Sequence, residues 1–135
     1  MAKEFLNPPG LPNWSQSFSQ VVVVHTGSTR TVYVSGQVSV DADNQVVGPG
    51  DLATQAARTF RNLATALASA GATPADVVRL GISIVGYKGE HAPVIRDAMR
   101  EVFTGENLPA STWLGVQALA LDDLLIEVEA TAVVE

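Results

Sequence analysis

The chain contains no cysteine. That excludes disulfides, thiolate nucleophiles and cysteine-ligated zinc or iron–sulfur centres. Its two histidines, His25 and His91, lie far apart without metal-ligand spacing, so no metal site is expected. Aromatic residues make up only 6% of a chain that is 47% hydrophobic, which leaves Val, Ala and Leu to build the interior. No apolar stretch approaches the ~20 residues needed to span a bilayer. The segment Met1-Ala2-Lys3-Glu4-Phe5 lacks the charged and apolar regions of a secretory leader. No membrane partner is expected, and a cytoplasmic protein is the default. Cations are also scarce. Eight Lys and Arg, scattered from Lys3 to Arg100, face fourteen Asp and Glu, for a net charge of −6. Nucleic-acid binders usually carry a basic stripe that displaces counterions from phosphates, so no nucleic-acid partner is expected.

What is present reads as one domain of 135 residues, with residues 1–16 an irregular lead-in marked by Asn7-Pro8-Pro9-Gly10-Leu11-Pro12-Asn13. Phe18 to His25 and Thr31 to Val38 read as two strands of a hairpin around Thr26-Gly27-Ser28-Thr29-Arg30. Asp51 is placed to cap a helix in which Leu52, Ala56, Phe60, Leu63 and Leu67 recur at helical spacing. Gln55, Arg58, Asn62, Thr65 and Ser69 are assigned to its outer face, and Gly71 ends it. Val77 to Val85 reads as a third strand, His91 to Phe103 as a second helix, and Ser111 to Leu119 as a fourth strand.

The C-terminal run alternates with a period of two. Ile126, Val128, Ala130, Ala132 and Val134 share one face; Leu125, Glu127, Glu129, Thr131 and Val133 share the other. A carboxylate in mid-strand is solvated, paired or working, because burying it unpaired costs several kcal/mol or forces it to take up a proton. The order is thus β-β-α-β-α-β-β. Two helices cover one sheet face, and the other face needs a cover that self-association supplies most simply.

Tyr33-Val34-Ser35-Gly36-Gln37-Val38, Asp51 through Gln55 to Asn62-Leu63, Ala70-Gly71, Asp76-Val77-Val78, Pro109-Ala110 and Ile126-Glu127-Val128-Glu129-Ala130 together resemble the Rid family of reactive intermediate deaminases. These YjgF-like proteins were once described as endoribonucleases. The resemblance covers about Phe18 to Val134. It implies an α+β, chorismate-mutase-like fold: one mixed sheet with two helices on one face, joined as a homotrimeric barrel with three clefts between subunits. It further implies a small-molecule ligand, no cofactor, and hydrolysis of imine or enamine acids to ketoacids and ammonia.

On that resemblance Glu127 matches the residue that activates the water, and Gly36, beside Ser35, lets backbone approach the ligand. Phe18 stands for a tyrosine of the first strand, with Trp14-Ser15-Gln16 as a competing match. Arg96 aligns with an asparagine of the second helix. Ser111 stands where an arginine clamps the substrate carboxylate, followed by Thr112, and Trp113 replaces a small residue. The resemblance therefore implies a retained scaffold, a rewritten carboxylate site and altered substrate choice. A non-catalytic metabolite-binding module is the alternative. Nuclease activity is disfavoured by the acidic charge and the lack of a histidine pair.

Overall fold

The computed structural model describes residues 2–135. The first strand, β1 (Lys3–Leu6), pairs with β2 (Val21–Thr26), which turns back into β3 (Thr29–Val38). Helix α1 (Leu52–Ser69), β4 (Val77–Val85), helix α2 (Ala92–Val102), β5 (Ala110–Val116) and β6 (Ile126–Val134) follow. The six strands form one sheet in the order β1-β2-β3-β6-β4-β5. All neighbours are antiparallel except β4 and β5, which the α2 crossover joins in parallel. The sheet is not closed; β1 and β5 are its edges. The expected element order is found, with one addition. Residues 3–6, read as part of an irregular lead-in, form an edge strand, because the Val21–Val24 run offers them a full ladder. Residues beyond them stay irregular, as their prolines dictate.

One face of the sheet is dry. Val21, Val23, Val32, Val34, Leu80, Ile82, Ile84, Ile126 and Val128 pack under Phe60, Leu63 and Leu67 of α1 and Ile95 of α2. Each such side chain contributes about 1.5–3 kcal/mol by leaving water. The alternation read in β4 and β6 is observed residue for residue. Helix α1 begins where Asp51 accepts from the Thr54 N–H at 3.1 Å. It ends on Gly71, whose φ of +71° suits the left-handed C-terminal position. There Arg30 of β3 donates to the Ala70 and Gly71 carbonyls, a cation at the negative end of the helix.

Two polar residues assigned to the outer face of α1 are buried instead. Gln55 donates to the Gly48 and Asp123 carbonyls and accepts from the Leu125 N–H. Asn62 donates to the Val38 and Val40 carbonyls at 2.8 and 2.9 Å. Spacing marked them as polar, but loops arching over the helix carry carbonyls that need donors, and these amides supply them. Asn62→Ala would strand two buried acceptors. We expect it to lower the unfolding free energy by about 1–3 kcal/mol, read as a reduced urea midpoint at unchanged slope.

Candidate active site

The site begins at an irregularity in β3. Val34 pairs with Ala130 and Gln37 with Val128, so Ser35 and Gly36 together oppose Glu129 alone. This is a β-bulge, and it re-aims the side chains around it. Buried Gln37 donates to the Gln20 side chain at 2.8 Å, and Gln20 donates to the Pro12 carbonyl at 3.1 Å. The Ser35 hydroxyl donates to the Ser19 carbonyl at 2.6 Å. Two of these contacts tie the 12–20 segment to the bulge, and the third, from Gln20 to Pro12, closes the segment on itself. That segment turns tightly, Ser17 and Phe18 both donating backbone N–H to the Trp14 carbonyl. The turn sets the Trp14 and Phe18 rings 5.9 Å apart.

Beneath these rings lies a cleft of about 370 Å³ walled by Trp14, Phe18, Val38, Leu121 and Leu124, with Gly36 and Glu127 on its floor. The volume suits a small molecule. Glu127 lies on the sheet face away from the helices, opposite Val38 of β3 and Ser83 of β4. Among the described residues its carboxylate makes no hydrogen bond and no ion pair. Burial holds its carboxyl above the usual carboxylate range, and the nearby charge of Glu129 raises it further. A Cβ on Gly36 would stand 2.6 Å from Cδ of Glu127, so the glycine leaves room for this carboxylate.

The other sequence-predicted residues lie elsewhere. Thr112 shares the open face with Glu129 and Gly81, two strands from β6, and its hydroxyl accepts from Arg79 at 3.1 Å. Ser111 and Trp113 point to the opposite face, because they pair with Leu80 and Ile82, whose side chains face the helices. The Trp113 indole N–H donates to the Ser111 hydroxyl at 2.9 Å, and its ring meets Tyr87 edge-on at 6.4 Å. Arg96 is exposed on α2, 3.8 Å from Asp97. Within one chain Glu127, Gly36 and Phe18 share the cleft, Ser35 braces it, Arg96 lies on α2, and Ser111, Thr112 and Trp113 belong to the far edge of the sheet. The linings from Leu121, Leu124 and Asn44 were not anticipated, since nothing in a turn sequence announces what it will overhang.

The chain thus combines a helix-backed open sheet with an unpartnered carboxylate beside a bulge glycine. Residues 11–134 match the family model described as Endoribonuclease L-PSP. The chain is 32% identical over 117 residues to the 2-iminobutanoate/2-iminopropanoate deaminase of Rattus norvegicus, spanning 87% of this chain and 80% of that one. It is 29% identical over 133 residues, 98% of each chain, to the protein of the same name in Dermatophagoides farinae. Among solved structures it is similar to YyfB of Yersinia pestis, a member of the conserved Rid protein family, with 38% identity, a TM-score of 0.76, and 99% and 100% of the two chains covered. The chain belongs to the Rid (YjgF-like) family. No helix among the described residues is long and apolar enough to cross a membrane.

The raised carboxyl has a consequence for stability. The folded protein holds the Glu127 proton more tightly than the unfolded chain does. The stabilisation from this group is complete below the ordinary glutamate value and is lost as pH rises through the higher folded one. Glu127→Gln is therefore expected to melt above wild type at about pH 8 and together with it below about pH 4, in thermal scans of both proteins across pH.

Proposed function

We propose that this protein is a cofactor-free hydrolase of the imine and enamine deaminase class, with a substrate choice that differs from that of its deaminase-named relatives. The observation that carries the reading is the Glu127 carboxylate, unpaired and half-buried on the floor of an apolar cleft. Imine hydrolysis needs a water aimed at an electrophilic carbon and a group to take its proton. Glu127 supplies the second and orients the first. Water adds to the imine carbon and gives a proton to Glu127. The carboxyl then returns it to nitrogen, the C–N bond breaks, and a carbonyl compound and ammonia leave. Glu127 must be ionised to begin, and its elevated proton affinity makes it a stronger base than an exposed glutamate.

Two observations support self-association around this cleft. The open sheet face exposes Phe5, Tyr33, Leu114 and Val133, more apolar surface than a lone sheet face normally leaves to water. Ser111, Thr112 and Trp113 are also separated from Glu127 within a chain, so only a second copy can bring its β5 edge to the cleft. On this reading the protein is a homotrimer with three inter-subunit clefts, in the cytoplasm. Altered substrate choice follows from the β5 edge: the resemblance expects a guanidinium there, and this chain has a hydroxyl already bonded to an indole. That same substitution favours the second reading, a metabolite-binding module without turnover.

The test is ammonia release from freshly generated 2-aminoacrylate and larger imines, alongside sedimentation of the oligomer. Glu127→Gln is expected to lower kcat by about 10²–10⁴-fold, the usual worth of a general base. Stoichiometric binding without turnover would instead select the binding module. Glu129→Gln removes the like charge that raises Glu127. It should move the acid limb of the kcat/KM profile to lower pH. Gly36→Ala should abolish most activity and cost about 1–3 kcal/mol of stability, since the Glu127 side chain must swing aside.

A further inference from the structure

We propose that Arg79 of each copy pairs with Glu129 of a neighbouring copy across the open sheet face, and that this contact couples assembly to the Glu127 site. This rests on the self-association reading of that face and names the charges that set its register. Arg79 and Glu129 both line a hollow of about 280 Å³ in the middle of the open face, with Tyr33 and Thr131 beside them. Tyr33, Thr131 and Arg79 form one row across the sheet, and Glu129 and Gly81 stand in the next. Arg79 and Glu129 are therefore diagonal neighbours, close enough for long side chains to meet. Within a chain they do not pair; among the described residues no ion pair joins them. Arg79 extends away from β6 and donates to the Thr112 hydroxyl on β5 at 3.1 Å. Glu129 lies over Gly81, so close that a Cβ there would stand 2.7 Å from its Oε1. Both charged side chains are exposed in the single chain.

A copy that buries the Tyr33 ring also covers both charges, because all three share the hollow. A charge covered without a partner is costly, whereas opposite charges brought together offset much of that cost. In a closed ring each copy offers its Arg79 to one neighbour and its Glu129 to the other, so every charge is matched. A cation that reaches Glu129 also acts on Glu127. The two carboxylates lie two residues apart on one face of β6, and the charge of Glu129 adds to the proton affinity of Glu127. Neutralising Glu129 makes Glu127 easier to ionise. The other titratable groups facing the two carboxylates are Tyr33 on β3 and Arg79 on β4. Beside them β4 sets Ser83 opposite Glu127, and β5 brings Thr112. Among the described residues, no other titratable side chain lines the cleft over Glu127. The pair between copies is thus the route by which assembly reaches the carboxylate of the site.

Charge reversal tests the pair in the full chain. Arg79→Glu is expected to weaken self-association by about tenfold or more in sedimentation. The double variant Arg79→Glu/Glu129→Arg should recover it, and Arg79→Lys should stay close to wild type. The chain has no cysteine, so thiols introduced at these two positions are the only ones present. Treated with a short bis-maleimide, Arg79→Cys/Glu129→Cys should give covalent dimers and larger species on a denaturing gel, beyond those from either single variant. The coupling is read from the Glu127 carboxyl by carbon-13 NMR, assigned by comparison with Glu127→Gln. Arg79→Met should move its titration to higher pH, since Glu129 loses its counter-charge, and Arg79→Lys should leave it near wild type. That signal needs no turnover, so it stands apart from the hydrolase reading. A wild-type protein that sediments as a monomer would overturn self-association and the pairing together. An oligomer indifferent to Arg79→Glu, or cross-links confined within single chains, would overturn the pairing and leave the assembly and the hydrolase reading standing. An unchanged Glu127 titration in Arg79→Met would overturn the coupling alone.

Discussion

Glu127 and Gly36 share one volume. The carboxylate lies so close to the β3 backbone that even a methyl group there would displace it. The contact sits beside a bulge in β3, where two residues, Ser35 and Gly36, oppose one. The bulge in turn needs external bracing, because a strand interrupted in mid-sheet loses ladder hydrogen bonds. Gln37, Gln20 and Ser35 supply it through buried side-chain contacts that also fix the 12–20 segment. A short motif of three residues thus sets the carboxylate, its roof and the shape of the space between them. A conflict between local regularity and global packing is resolved here in favour of the site.

The same economy appears in how polar groups are distributed. On the helix-backed side of the sheet, buried polar atoms are nearly all spoken for. Gln55 and Asn62 each satisfy two backbone carbonyls, and Arg30 closes the end of α1. On the open side, Glu127 has no partner within the chain. An unpartnered, partly desolvated carboxylate is a cost that the core's apolar packing offsets. A fold retains such a cost where the group is used.

The neighbouring Glu129 is handled differently from Glu127. It is exposed, rests against Gly81 as Glu127 rests against Gly36, and acts on its neighbour through charge. Two glycines on adjoining strands thus accommodate two carboxylates on β6, one partly buried and one solvated. Burial alone separates their roles, since both are glutamates two residues apart on the same sheet face.

Much of the fold was legible because periodicity is a local property. The alternation from Arg79 to Ile84, the spacing of Ala56, Phe60, Leu63 and Leu67, the Asp51 cap and the Gly71 stop each encode an element within a few residues. The motif around Ser35-Gly36-Gln37 and the Glu127 strand could be matched to a family for the same reason. Local signals did not reveal that Gln55 and Asn62 turn inward, since polarity marks a side chain but not the carbonyls awaiting it. Residues 3–6 form a strand because a partner edge is available, not because their own pattern demands one. Ser111 and Trp113 flank Thr112 in the chain, yet pleating sends them to the other face of β5. The apolar roof over Glu127 comes from Trp14, Phe18, Leu121 and Leu124, segments more than a hundred residues apart in the chain. The sequence by itself determined the elements, the family and the carboxylate. Only the tertiary structure decided what surrounds that carboxylate, because desolvation and charge depend on which distant segments pack against a group, and no local pattern carries that information.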